Sequence, residues 1–483
     1  MKSNKIKILS ILLGAGLLLT TSSCSKYLDI NTSPLTATKV EPKLLFGYAV
    51  TAWDANKNSG DAWLPLGLEV QSLASGGDYG WGNDNLYNIS TYALGNTFKV
   101  YYSTAGNNLK QAIKIAEEAS PVQNNAAAQC KIVLAQLMYE ATTLYGDVPF
   151  SEAWVPEISY PKYDSQKDVL NGVIALLDDA INQIDESSAL KISDYDIYYS
   201  GDLQKWKKLA NSIKFKVYMV MADADPSVVS KIGDLLKDET VMISSASESW
   251  IHKYYSTENN ENPKYRLFKT YTNGENQWFF ANSNVFNYMD PQDPRIPRYF
   301  DKGPKATTYK AVGSEELADE TTSLISSYLY RKDAPSLLLS YHELTLLKAE
   351  AYARGLGVTK DLSKANSLFK DGVKAACVFY GVSNGDATAF VNNTLKDLTT
   401  VADPLKEIHL QQWIDLMDRP MEGFVQWRRS GKDGNEVPKL TVPPGATAGP
   451  LIRRWTLSPD EISANPNIPN PAPKYYDKMW FDL

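Results

Sequence analysis

The stretch FKVYYSTAGNNLKQAIKIAEEASPVQNNAAAQCKIVLAQLMYEATTLYGDVPF, residues 98–150, decides the fold class. Apolar and small residues at 98, 101, 102, 105, 109, 112, 113 and 116 recur in steps of three and four, the spacing of one helix face, with Phe98, Tyr101, Tyr102, Leu109 and Ile113 as its bulky members. Ser120-Pro121 breaks the pattern. It resumes at Cys130, Val133, Leu134, Leu137, Met138, Ala141, Leu144 and Tyr145, then stops at Gly146 ahead of Pro149. Two helices joined by a short break predict a helical hairpin.

The same pattern recurs downstream. Leu170, Val173, Ile174, Leu177, Ile181 and Ile184 mark a third helix, with Asp164 or Ser165 as its cap, and Trp206, Leu209, Ala210, Ile213, Val217 and Val220 a fourth. Residues 341–354 and 362–380 form a later pair around Gly355-Leu356-Gly357, and Leu410, Trp413, Ile414 and Met417 mark another helix. The later pair carries Ala351-Tyr352, Ala365 and Phe369, a small-and-aromatic pattern like that of tetratricopeptide repeats. Helix starts keep no 34-residue period, so a regular solenoid is not expected. The expected fold is mostly α, built of helix pairs over about 40–240 and 336–430. A loop-rich insert over about 241–335 and a Pro/Gly-rich tail over about 431–483 complete it.

The N-terminus has another character. Lys2, Lys5 and Lys7 precede an apolar run over 8–20, followed by Thr21-Ser22-Ser23-Cys24. A run of about 13 residues is too short for a bilayer, which needs about 20. Residues 1–23 therefore read as a lipoprotein signal peptide and Cys24 as the lipidation site, although Thr21 departs from the leucine usual three positions before such a cysteine. Removing the leader changes 49 basic against 56 acidic residues to 46 against 56, a net charge of -10. That balance argues against nucleic acid, whose binding needs concentrated positive charge. Attachment to a membrane would come from acyl chains. The other two cysteines, Cys130 and Cys377, sit in alanine-rich helical sequence and fit buried thiols or a single disulfide.

Markers of catalysis are absent. His252, His342 and His409 are scattered without metal-ligand spacing, and no nucleophile elbow, phosphate loop or dinucleotide fingerprint occurs. No cofactor, metal site or catalytic residue is expected. A glycosidase needs only two carboxylates and remains the enzyme alternative, with Asp178-Asp179 and Asp290/Asp293 the acid pairs to weigh.

Binding has better candidates. In the glycine loop 75–87, Tyr79, Trp81 and Tyr87 lie among Asp78, Asn83 and Asn85. Aromatic faces stack on the C-H faces of a sugar or on peptide side chains, and amides and carboxylates orient polar groups. The same rings could instead staple the loop to the core. Asn276 and Trp278 in the insert, with Trp250 and Tyr271 nearby in sequence, form a second candidate group.

Together these segments resemble the SusD/RagB family of nutrient-binding outer-membrane lipoproteins of Bacteroidetes. The likeness rests on Cys24 to Asn31, on Gly146-Asp147-Val148-Pro149-Phe150, and on Trp206 to Ser212 and Asp293-Pro294-Arg295. It continues through Ala349-Glu350-Ala351, Gln412-Trp413, Trp427-Arg428-Arg429 and Arg453 to Glu461. The resemblance implies a SusD-like fold of four tetratricopeptide-like helix pairs under an irregular, loop-rich ligand-binding face. It implies a cell-surface protein, lipid-anchored in the outer membrane, that captures oligosaccharides and delivers them to a SusC-like TonB-dependent β-barrel transporter. Oligopeptides are the alternative ligand, and a non-catalytic envelope assembly scaffold the alternative class. Trp81 and Trp278 would be contacts by positional analogy, because these loops vary within the family.

Overall fold

The computed structural model describes residues 40–75, 86–313, 318–446 and 449–483. Cys24, Tyr79, Trp81 and Asn83 lie outside them. Pro42–Leu483 form one unit.

The helices that organise it are α1 (Pro42–Lys57), α2 (Gly106–Glu117), α3 (Asn124–Tyr145), α4 (Gln166–Gln183), α5 (Leu203–Met221), α6 (Tyr341–Arg354), α7 (Leu362–Phe379), α8 (Pro404–Asp415) and α9 (Pro420–Arg429). Neighbours in sequence pack on one another, α2 on α3, α3 on α4, α4 on α5 and α6 on α7. Ser165, not Asp164, caps α4 by accepting the Asp168 amide, and Asp202 caps α5.

Two features go beyond the periodicity. The single helix expected over 98–116 is an α-helix at Thr91–Lys99, a π turn at Val100–Thr104, and then α2. The second is α3, which reads as one-sided but is buried on nearly every residue. Most of its polar side chains are used internally. Gln129 exchanges two 2.8 Å hydrogen bonds with the backbone of Ile192. Lys131 pairs with Glu117 and Asp179, and Glu140 accepts from Trp53 Nε1 at 2.7 Å and from Lys57 at 2.5 Å. A helix buried all round must pair its charges, because an unpaired buried charge is costly.

Further buried ion pairs tie distant helices together. Glu350 on α6 accepts from Arg429 on α9 at 2.6 and 3.0 Å, from Gln412 on α8 and from Arg354. Burial pushes the Glu350 carboxyl up, but Arg429 and His409 outweigh it and hold it well below the usual range. All three histidines are buried beside carboxylates, His252 by Asp54 at 3.0 Å, His342 by Asp415 at 3.2 Å and His409 by Glu350 at 3.6 Å. Cys130 and Cys377 are separate buried thiols.

The Gly-Asp-Val-Pro segment is structural. Gly146 has φ +83°, and a Cβ there would lie 2.7 Å from the guanidinium of Arg454. Asp147 accepts the Gln166 amide at 2.8 Å, and Asp164 accepts the amides of Phe150 and Ser151. The tail returns to this corner: the Trp455 amide donates to Leu144 O, and its indole donates to Glu69 at 2.6 Å.

The insert is less irregular than its composition suggests. Trp250–His252 pairs antiparallel with Ser336–Leu339. A four-stranded antiparallel sheet has the order Leu73–Ser75, Phe279–Ala281, Leu324–Ile325, Phe300–Asp301. This sheet joins the N-terminal scaffold to the insert.

Candidate ligand-binding site

The sheet register brings two sequence-distant segments together. Leu73 faces Ala281, Ala74 faces Phe280 and Ser75 faces Phe279. The chain therefore enters the glycine loop from Ser75 at the strand end that Trp278 adjoins. Leading into the neighbouring strand is a helix, Pro263–Thr272, capped by the Asn262 side chain and closed by Asn273 at φ +57° and Gly274 at φ +92°. It carries Tyr271, 57% exposed, whose ring lies 6.3 Å from that of half-buried Trp278.

Asn276 sets this arrangement. Its Nδ2 donates to Phe279 O at 2.7 Å and Ile325 O at 3.1 Å, while its Oδ1 accepts the amides of Trp278 and Phe279. Its own amide donates to the Tyr330 hydroxyl. With its side chain buried and bonded, Asn276 holds the turn that presents Trp278 and is a positioning residue. Tyr330 is a part of this support that the sequence reading missed.

The structure separates the other candidates from that edge. Trp250 is fully buried, 5.5 Å from Trp53 and 5.4 Å from Tyr198, so its indole belongs to the core. Tyr87 is buried 5.6 Å from Tyr475 and staples the end of the glycine loop. Tyr271, the exposed member of the aromatic pair, stood in the sequence only as a neighbour of Trp278.

The acid pairs that a glycosidase would need are engaged elsewhere. Asp178 pairs with Lys214, and Asp179 with Lys131 at 2.6 Å. Asp293 forms a fully buried pair with Arg295 at 2.7 Å, and Asp290 accepts the Gln292 amide. Among the described residues no group of three or more His, Cys, Asp or Glu is placed to hold a metal ion. None of their helices is long and apolar enough to cross a membrane. A cleft between Lys57, Trp63, Lys264 and Asp418 has a volume of about 40 Å³, room for water and no more, and is crossed by the Lys264–Asp418 pair at 2.7 Å.

A mostly helical scaffold carrying a small sheet with an aromatic edge defines the class. Residues 44–454 match the family model SusD-like_2, described as starch-binding associating with outer membrane. The chain belongs to this SusD-like family. Three solved structures share the fold. A chitin-binding protein is 23% identical with a TM-score of 0.76, over 92% of this chain and 100% of its own. A SusD/RagB family protein from Bacteroides thetaiotaomicron is 20% identical with a TM-score of 0.76, over 92% and 99%. A SusD homologue from Bacteroides fragilis is 21% identical with a TM-score of 0.73, over 92% and 99%. A search of curated proteins found no match.

Proposed function

We propose that this chain is a lipid-anchored, cell-surface binding protein that captures oligosaccharides and passes them to a SusC-like TonB-dependent outer-membrane transporter. Cys24 is the anchor, and Tyr271 and Trp278 with Tyr79, Trp81 and Asn83 are the ligand contacts. The observation that carries the reading is the Ser75–Phe279 register, which starts the aromatic glycine loop beside the Trp278–Tyr271 edge. Rings held at a sheet edge stack on sugar faces without any covalent step. The family description and the chitin-binding relative make α-glucans and chito-oligosaccharides the first ligands to try.

The test is calorimetric titration of a soluble form starting after Cys24 against oligosaccharides of differing linkage and against mixed oligopeptides. Saturable heat with one glycan class, weakened tenfold or more by Tyr271→Ala/Trp278→Ala, is expected. Unchanged affinity in that variant removes the site assignment, and heat from peptides alone replaces the ligand class. Reducing ends released during long incubation would mean an enzyme instead.

A further inference from the structure

A second aromatic groove lies elsewhere on the molecule and shares no residue with the Trp278 edge. It has a volume of about 680 Å³, within the range of ordinary ligand sites, and runs between the π turn, the chain over 149–161 and the short helix Pro459–Ala464. Trp154 and Tyr102 form its floor, their rings stacked 5.6 Å apart at 26°.

Several independent devices fix that floor. Trp154 has φ +61°, a conformation that costs a bulky residue energy and persists only where the surroundings impose it. Its Nε1 donates at 2.7 Å to the carbonyl of Tyr102, inside the π turn, and the Tyr102 hydroxyl donates at 2.8 Å to Pro149 O. Gly106 leaves room for the indole: a Cβ there would lie 2.5 Å from Trp154 Cζ2. The far wall is held as firmly, since Asn465 donates to Pro161 O and Asn467 to Tyr160 O. With the polar atoms of both floor rings bonded to backbone, what the groove offers is flat ring surface.

One rim carries the matching polar groups. Ser103, Asn107 and Gln111, four residues apart, all line the groove and are exposed. Among the described residues none of these three side chains has a hydrogen-bond partner. Glu461 is the one charged member of the lining among the described residues, and its carboxylate accepts the Tyr163 hydroxyl at 2.8 Å. Among the described residues the lining has no lysine or arginine for a phosphate or carboxylate, and no residue of a strand that could pair with a peptide backbone. Fixed ring faces beside unengaged amides and a hydroxyl match an uncharged polyhydroxylated chain. We infer that the groove floored by Trp154 and Tyr102 and rimmed by Asn107 and Gln111 is a second binding site for a neutral oligosaccharide. It shares with the proposed function only the class of ligand.

The experiment counts sites by calorimetry on the soluble chain, using malto-, chito-, xylo- and manno-hexaose, with mixed pentapeptides as the other arm. Four proteins are compared: wild type, Tyr271→Ala/Trp278→Ala, Asn107→Ala/Gln111→Ala, and all four substitutions together. Asn107 and Gln111 are exposed, so their truncation leaves folding intact, which thermal melting checks. Expected is a residual hexaose site in Tyr271→Ala/Trp278→Ala that weakens about tenfold or more when Asn107→Ala/Gln111→Ala is added. If Tyr271→Ala/Trp278→Ala abolishes all hexaose heat, the groove inference falls and the proposed function stands. If binding ignores that pair but is lost with Asn107→Ala/Gln111→Ala, the groove stands and the Trp278 site falls. Pentapeptide heat that depends on Asn107 and Gln111 overturns the sugar assignment, and silence towards every hexaose overturns both sites.

Discussion

Glu350 and Trp278 stand for two regions built on opposite terms. Around Glu350, charges from α6, α8 and α9 are buried and bonded to one another, so the polar groups face inward and hold helices together. Around Trp278 the buried polar residue, Asn276, bonds only to nearby backbone and one hydroxyl, and what it holds in place is the turn carrying half-buried Trp278, beside exposed Tyr271. The first region sets stability, and the second is the proposed binding edge. Trp250 sharpens the contrast: 28 residues from Trp278 and in the same insert, it is packed into the core.

The comparison can be broken by substitution. Glu350→Leu leaves Arg429 buried without its carboxylate and should cost about 3–5 kcal/mol, read as a lower urea midpoint. The same region sets the acid limit. The carboxyls of Glu350, Asp54 and Asp415 lie below their ordinary values of 4.5, 3.8 and 3.8, so their contribution is complete above those values. It is lost as pH falls through the lower folded-state values. The urea midpoint should therefore fall steadily below about pH 4.5, and less so in Glu350→Leu.

Gly146→Ala combines an unfavourable positive φ with a collision at Arg454 and should cost about 2–3 kcal/mol by the same measurement. Asn276→Ala crosses the boundary between the regions. It frees two backbone amides and two carbonyls, costing about 1–2 kcal/mol, and should also weaken ligand binding by loosening Trp278. Tyr271→Ala/Trp278→Ala closes the series, with a stability change within about 1 kcal/mol and a loss of affinity tenfold or greater. A large fall in melting temperature for that pair would mean that the aromatic edge belongs to the core.

Several of the residues that made the family legible are buried, as Glu350 is. Glu350, Gln412, Arg429, Asp293, Arg295, Arg454 and Trp455 are all buried. Interior charges must match partners far along the chain, so their types and order carry information that a reader of sequence can use. The amphipathic helices α2, α4, α5 and α7 were readable for the usual reason, one apolar face each. Helix α1 was not, because its buried Asp54 and Lys57 look like surface positions until Tyr254, His252 and Glu140 are brought to them. The short strands of two to four residues were missed because so few residues show no period.

The proposed site was legible only in part. Aromatic residues in loops marked the neighbourhood, yet nothing in the sequence separates Trp278, at a sheet edge, from Trp250, against Trp53 and Tyr198. Asn276 reads as a ligand contact in sequence because an amide can orient a ligand's polar groups; its hydrogen bonds show a support. Trp154 drew no attention because it follows a segment whose role is structural, and its groove depends on a π turn 50 residues away.

The loop that begins after Ser75 is fastened at both ends. Ser75 is locked into a sheet opposite Phe279, and Tyr87 is packed against Tyr475. Both anchors are made by residues outside the stretch 76–85, so the frame that receives that stretch is set by contacts that do not depend on its sequence.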